Sequence, residues 1–513
     1  MPEEILKKIK NNIPLQYKVC FISVLIVGLV AHIYKLTNWL PNWDSLVFRY
    51  DPQNMVAMGR WFLPVACAPS SFYDLPWLAG LLAILFHAIG AVCICKMFNL
   101  RKNTTAALVG AAVITFPTVT SVLMYNYVAD GYALAFLLSC MAAMLLVNEK
   151  PRYAASVICI ALSVGIYQAY ITVTIMLLLC YLIVEAMSKG SQAVKLIVKA
   201  LKFLAAGIVG MVLYYIVMVI MLRLTDTVLL EYQGISDAMS FADINILAIL
   251  YTIKHSFTDY FFDFSNGITV FGILNCLIFI ITVILYLVDV IRQRTSPLKL
   301  LLIAVCAILL PIGASVLAII NSSVDYHNLM KMGFFIFYLF FILQYERLDF
   351  KKPRLNAAKA WVIFGISFVL VFNNIIIANV SYHKLNMAYE KSYGTLIRIA
   401  DRIEQTEGAD ECDSILVLGA LENSEAYSVN LPPDMTGTTD GFILRADDEI
   451  VGQSVLCSAL NDYCGKNYTF IFGDEKKALL EKVQAEKIGL WPDSDAIIVV
   501  DNVIIISLGS EVQ

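Results

Sequence analysis

Charge is scarce in this chain. Asp, Glu, Lys and Arg make up 15% of its 513 residues, against roughly a quarter in a soluble globular protein, which leaves too little polarity to cover a soluble particle of this size. Histidine is rarer still, at 5 residues, and no zinc-like spacing of cysteine with histidine occurs, so no metal site is expected. A Walker loop, a dinucleotide fingerprint, a Gly-x-Ser-x-Gly elbow and a His-Glu-x-x-His pair are also missing, which removes the usual soluble nucleotide and hydrolase chemistries. No basic stripe marks a nucleic-acid face. The start, Met-Pro-Glu-Glu-Ile-Leu-Lys-Lys-Ile-Lys, lacks a small-residue cleavage pattern, so a retained first span is expected rather than a removable signal peptide.

What is present is apolar. Hydrophobic residues reach 59% and mean hydropathy is +0.73, the composition of a polytopic membrane protein. Runs long enough to cross the hydrocarbon fall near 19–36, 75–98, 104–124, 130–148, 153–168, 170–187, 200–222, 267–291, 299–319, 328–344 and 361–380, about eleven spans in all. The 153–187 stretch is divided at Tyr167-Gln168-Ala169-Tyr170, read as a tight interfacial turn; one long tilted helix is the competing reading. The 12 cysteines lie mostly inside apolar runs, as Cys93 and Cys95 do, and are expected to pack as small hydrophobes.

Basic residues set the orientation. Lys7 to Lys18, Arg101 and Lys102, Lys150 and Arg152, Lys189 to Lys202, Arg292 to Lys299, and Arg347 to Lys359 fall in alternate connections, which the positive-inside bias places in the cytoplasm. The connections around Asp44, Asp130, Tyr167, 223–266 and Asp325 then face outward, together with 381–513. That last segment carries a helix-like stretch to about Glu407, strand-like runs at 414–418, 441–444, 468–472 and 495–507, and a helix-like 474–487. It reads as a small extracytoplasmic α/β or α+β domain following a mainly α membrane domain over 1–380. Cys457 and Cys464 could be bridged or free.

The chemistry concentrates in the first outward loop, Trp39-Leu-Pro-Asn-Trp-Asp44 through Gly59-Arg60-Trp61. Asp44, flanked by tryptophans that favour the headgroup level, is a carboxylate held at the membrane surface and suits a base acting on an acceptor hydroxyl; it equally suits a helix N-cap. Asp51, before Pro52, has a helix start as its default reading and a second catalytic carboxylate as its alternative. Gln53 and Asn54 complete the polar run as candidate substrate ligands. Arg60 suits a donor phosphate, with snorkelling beside Trp61 as the bland reading. Asp130 opens a span, as a functional group or as its cap. Tyr167, Gln168 and Tyr170 could bind sugar hydroxyls or simply anchor spans. Asp325 and His327 in one loop, and Arg223, Asp226, Glu231, His255, Asp259 and Asp263 in another, could line an acceptor groove; solvated loop polarity explains them as well.

The order Asn42-Trp43-Asp44-Ser45, Gly59-Arg60-Trp61-Phe62, Phe72-Tyr73-Asp74-Leu75-Pro76-Trp77, Thr115-Phe116-Pro117-Thr118, Tyr127-Val-Ala-Asp130-Gly-Tyr132 and Ser163-Val-Gly-Ile-Tyr167-Gln168-Ala-Tyr170 resembles the bacterial Gtr-type glucosyltransferase-domain proteins, over about residues 15–390. The resemblance implies a GT-C-like enzyme of the bacterial plasma membrane, without cofactor. Its donor would be a polyprenyl-phosphate sugar, glucose, made by a donor-lipid synthase and flipped outward by a flippase, and its acceptor a cell-surface glycan. By position, Asp44 would be the base and Arg60 the arginine of Gly-Arg-Trp. The single Asp44 followed by Ser45 is less acidic than many relatives, so Asp51 could share the role. Two other classes remain open: a transporter or flippase of lipid-linked sugars, and a noncatalytic scaffold of a polysaccharide assembly complex.

Overall fold

The computed structural model describes residues 3, 13–47, 55–71, 73–188, 190–230, 245–262, 264, 268–293, 295–319, 326–349, 353–419, 421, 442, 449–486 and 488–509. Apolar runs become helices because a backbone surrounded by hydrocarbon must satisfy its hydrogen bonds within itself. In chain order these are α1 (Leu15–Thr37), the short α2 (Trp43–Val47) and α3 (Leu63–Cys67), α4 (Pro76–Met97), α5 (Asn103–Thr115), α6 (Pro117–Met124), α7 (Asn126–Val147), α8 (Tyr153–Ile166), α9 (Ile171–Ala186), α10 (Ala193–Leu224), α11 (Ile246–Phe262), α12 (Val270–Arg292), α13 (Pro297–Ala314), α14 (Phe335–Glu346) and α15 (Pro353–Gln405). Among the described residues nine helical segments are long and apolar enough to cross a membrane, or ten if the bent pair α5 and α6 is one span. The protein is thus a mainly α, polytopic membrane protein.

Each of the eleven expected runs is helical, with three refinements. Residues 104–124 bend by 41° at Pro117, which opens α6 and has no N–H with which to continue α5. Residues 153–187 do break at Tyr167, whose extended backbone (φ −156°, ψ 120°) ends α8, so the single long helix is excluded. The last run does not stop at 380, because α15 continues as one 53-residue helix, about 80 Å long, out of the bundle.

The helices approach closely where side chains are small. A Cβ on Gly90 of α4 would lie 2.7 Å from the Phe136 ring of α7, so these two helices meet at van der Waals distance only with glycine there. Serines lock α7 to α8: Ser163 Oγ donates to Ala135 O at 2.9 Å, and Ser156 Oγ to Ala142 O at 3.0 Å. At the basic end, Lys102 Nζ donates to the carbonyls of Tyr345, Glu346 and Leu348 at 2.7–2.9 Å, a cation satisfying the last turn of α14. Arg347 pairs with Asp289 at 3.6 Å and Lys299 donates to Ser188 O at 3.4 Å. The basic connections that follow α4, α9, α12 and α14 therefore meet at one end, as their alternation predicts.

Beyond the bundle lies a four-stranded sheet, order β2-β1-β4-β3, of β1 (Ser414–Leu418), β2 (Thr469–Phe470), β3 (Ile497–Val500) and β4 (Val503–Ser507), with α16 (Glu449–Cys464) and α17 (Gly473–Glu486). β1 runs parallel to both β2 and β4. The run expected over 495–507 is a hairpin, folded at Asp501 and Asn502, both with positive φ (49° and 62°), the backbone that matches the twist of paired strands. The expected strand at 441–444 lies outside the described residues except for Phe442. Its core joins Leu396, Ile399 and Ile403 of α15 with Ile415, Ile504 and Ile506 of the sheet.

Cys457 and Cys464 both lie on α16. Seven residues of helix separate them by about 10 Å along the axis, beyond the roughly 7 Å reach of a disulfide. Both thiols are free, and burial pushes the Cys457 thiol up to about 11. Alkylation in denaturant without reductant, followed by peptide mapping, should recover both cysteines alkylated; a linked peptide would contradict this placement.

Candidate functional site

The loop after α1 is held from beneath. Asp74, just before α4 and only 8% exposed, accepts from Trp39 Nε1 and from Asn126 Nδ2, both at 2.8 Å. It thereby ties the loop to the first residue of α7. Lys35, buried at the end of α1, donates to Leu40 O at 2.8 Å and faces Asp74 electrostatically. Two residues further on, Asn42 Oδ1 accepts from the backbone N–H and the hydroxyl of Ser45, each at 2.9 Å. Asn42 is therefore the cap of α2. Asp44, in the first turn and partly exposed, is not needed for capping, and its charge acts on Tyr127 of α7, as does that of Arg60.

A second segment, 55–61, enters the bundle. The chain turns at Gly59 (φ +71°), where Arg60 N–H donates to Met55 O at 2.7 Å. A Cβ on Gly59 would lie 2.7 Å from Tyr214 Oη and 3.0 Å from Gln168 Nε2, so only glycine fits. Those two side chains hold the turn: Gln168 Nε2 donates to Met58 O at 2.9 Å and Tyr214 Oη to Gly59 O at 3.1 Å. Phe62 N–H then donates to Gly165 O at 2.8 Å, and the Trp61 ring lies over Gly165, where a Cβ would be 2.7 Å away. Gly-Arg-Trp and the 163–170 segment, separate motifs in the sequence, form one unit.

That unit buries a cation. Arg60 is 8% exposed; its Nη1 donates to Tyr132 Oη at 3.1 Å, and its guanidinium carbon lies 4.8 Å from the centre of the Tyr167 ring. Tyr132 and Tyr167 stack at 4.6 Å with 7° between planes, and Tyr170 meets Tyr167 edge-on at 6.1 Å. Cation–π attraction and a charge-assisted hydrogen bond replace the lost water. Arg60 does not snorkel.

The depth of this cluster differs from expectation. α4 and α7 have 22 residues each, about 33 Å, close to the thickness of the hydrocarbon. Their starts, joined by Asp74 and Asn126, mark its boundary. Tyr132 lies six residues into α7, about 9 Å below that boundary, and Tyr167 stacks on it. The Tyr167 turn is thus recessed rather than interfacial, and irregular backbone is tolerated there because protein surrounds it.

Other expected residues fall around this cluster or outside the described residues. Asp130 is fully buried one turn inside α7, so it does not cap that helix; it accepts from Gly131 N–H at 2.9 Å and faces Cys67 at the end of α3 and Ser70 just beyond it. His327 precedes the 3-10 segment Asn328–Phe334, which packs on α6 and on the Gln168–Tyr170 turn. His255 and Asp259 pair at 3.3 Å on the exposed side of α11, and Arg223 and Asp226 lie at the end of α10. Asp51, Gln53, Asn54, Glu231, Asp263 and Asp325 lie outside the described residues. Among the described residues no group of three or more His, Cys, Asp or Glu could hold a metal ion.

Sequence reasoning missed Asp74, Asn126, Tyr132 and Tyr214 as site-building residues. An outward-loop aspartate before Leu-Pro-Trp was a signal for the first; Tyr214, inside an apolar span, had none. Gly59→Ala combines a left-handed backbone with a filled contact, strain of about 1–3 kcal/mol. Its expected result is normal membrane insertion with a lower melting temperature in detergent and at least about tenfold slower activity; unchanged values would show that the turn tolerates a side chain.

No curated protein and no solved structure matches the chain. A family model described as Glucosyl transferase GtrII matches residues 33–344, more than half of the sequence, from the end of α1 through α14. The matched region contains Asp44, Arg60, Asp74, Tyr132, Tyr167 and Gln168, and the chain therefore belongs to the glucosyl transferase GtrII family.

Proposed function

We propose that this membrane glycosyltransferase moves glucose from a polyprenyl phosphate to a hydroxyl of a cell-surface glycan, on the outer face of a bacterial plasma membrane. The observation that carries this reading is the recessed Arg60, buried against the stacked pair Tyr132 and Tyr167 at the end of the bundle opposite the basic connections, with the charges of Arg60 and Asp44 both acting on Tyr127. A carrier lipid keeps its chain in hydrocarbon, so its phosphate and sugar can enter a recess of about 9 Å from the membrane side, where the phosphate meets Arg60.

Asp44 removes the proton from the acceptor hydroxyl as that oxygen bonds to the anomeric carbon. The bond from that carbon to the phosphate oxygen breaks, and the phosphate leaves with the electron pair. Arg60 meets the growing negative charge, which is where a fixed cation lowers the barrier. The products are the glycosylated acceptor, the polyprenyl phosphate and protonated Asp44. The tyrosine stack gives the sugar an apolar face. Asp130, Tyr170 and His327 shape the surroundings, while Asp51 is proposed to share the role of the base, and Gln53, Asn54 and Asp325 to bind substrate. No soluble nucleotide is consumed.

A transporter of lipid-linked sugars is the second reading, favoured by the break between α5 and α6 and by the buried Tyr260–Tyr338–Asn275 hydrogen bonds of 2.8 and 2.5 Å, since transporters place broken helices and polar groups inside the bundle.

Purified protein in detergent, given polyprenyl-phosphate glucose and candidate glycans, separates the two, because a transporter forms no product without a membrane. Asp44→Asn should lower kcat by about 10²–10⁴, the worth of a general base, and Arg60→Ala by about 10²–10³, the worth of one charge-stabilising donor. Equal turnover by all three proteins would remove the site assignment. In cells, Lys477→Cys on the exposed side of α17 should react with a membrane-impermeant maleimide added outside; labelling only after lysis would reverse the orientation.

A further inference from the structure

The family match ends at residue 344, leaving the sheet domain without an assigned role, yet the short helix bearing Asp44 is packed into that domain. α2 has five residues, far below the length at which a helix holds itself together in water, so its position must come from tertiary contacts. Asn42 caps its start. Leu46, on its last turn, is 2% exposed and belongs to the same buried cluster as Val455, Leu456 and Leu460 of α16. On the other side of Asp44, the Trp39 ring faces Tyr389 of α15 at 6.4 Å and Tyr463 of α16 at 6.0 Å, while its N–H donates to Asp74. Phe442 closes this aromatic group, stacked on Tyr463 at 6.1 Å and 19°.

Asp44 thus lies between two anchors, Trp39 and Leu46, and the sheet domain supplies the partner surface of both. Trp39 also carries the contact downward, through Asp74 to Asn126 and the start of α7. α15 runs unbroken from the bundle to Gln405, so the domain is carried on a helix that is itself packed in the membrane part.

We infer that the carboxy-terminal domain is a structural half of the active site, holding Asp44 in place by clamping Trp39 and Leu46 against Tyr389, Tyr463 and the apolar face of α16. Trp39, Leu46 and Tyr463 are positioning residues, and the domain sets the rate of transfer rather than the affinity for the carrier, whose phosphate meets Arg60 inside the bundle. The kinetic part rests on the reading of Asp44 as the base; the clamp itself does not.

The test uses the full chain with Leu46→Ala and Tyr463→Ala, beside the conservative Leu46→Met and Tyr463→Phe and an exposed control, Lys477→Ala. Amide hydrogen exchange over residues 40–47 should rise by about tenfold or more in both alanine variants, since a helix this short opens when its packing is lost, and stay near wild type in the other three. In the same alanine variants kcat should fall by about 10²-fold, the cost of misplacing a catalytic group by about an ångström, with donor KM nearly unchanged and activity kept in the conservative variants. Unchanged exchange in the alanine variants overturns the clamp. Raised exchange with normal kcat, while Asp44→Asn is inactive, overturns the positioning role. Should Asp44→Asn itself stay active, the base assignment falls, and the exchange result still decides the clamp. If either alanine variant fails to fold, Val455→Ala, a smaller trim of the α16 cluster that buries Leu46, must show a rise in exchange over residues 40–47 or the inference fails.

Discussion

The docking of the Met55–Trp61 turn against Gly165–Gln168 is the contact on which the end of this bundle opposite the basic connections depends. Irregular backbone at membrane depth must find partners inside the protein, and this turn finds them in Gln168, Tyr214 and the Gly165 carbonyl. Each surface presents a glycine to side chains of the other, Gly59 to Gln168 and Tyr214 and Gly165 to the Trp61 ring, so neither glycine can gain a Cβ without displacing the group that holds the contact. Arg60 can be buried only because this docking brings Tyr167 and Tyr132 to it; without them a guanidinium there would lose its hydration with little in return.

The helical plan was legible because a bilayer imposes it. Span length, the alternation of lysine-rich and lysine-poor connections, and the break at Tyr167 all follow from local composition, and contacts such as Lys102 with α14 gather the lysine-rich connections at one end of the bundle. The site was legible only in part. Asp44 offered two roles, and only the folded structure shows that Asn42 supplies the cap. Gln168, expected beside sugar hydroxyls, donates its amide to Met58 O, across 110 residues, a pairing no local pattern carries. Asp74 stood in a motif quoted for resemblance alone; its function as a pin depends on Trp39 and Asn126, 35 and 52 residues away.

Helix α15 changes how the two parts of the chain relate. A composition shift near residue 381 marks where apolar residues give way to Glu, Lys and Arg, yet the helix does not pause there, and Tyr382 and Leu385 still belong to the membrane core. The change to the sheet domain's core comes between Leu385 and Leu396. Composition registers where the surroundings of a helix change, and a continuous helix can pass from lipid-facing to water-facing without a break, because its backbone bonds are internal in both solvents.

The recess explains an otherwise odd element. α8 has 14 residues, about 21 Å, some 9 Å less than the hydrocarbon thickness. A membrane protein cannot leave that deficit open to lipid, since backbone groups at the helix end would be unsatisfied. Here the end of α8 meets the inserted turn: Ile166 is followed by extended Tyr167, while Gly165 O accepts from Phe62 N–H. The missing length of α8 and the depth of Tyr132 below the start of α7 are both about 9 Å. A shortened span and an inserted loop are thus two sides of one arrangement, which buries an arginine where a full-length helix would have placed only apolar side chains.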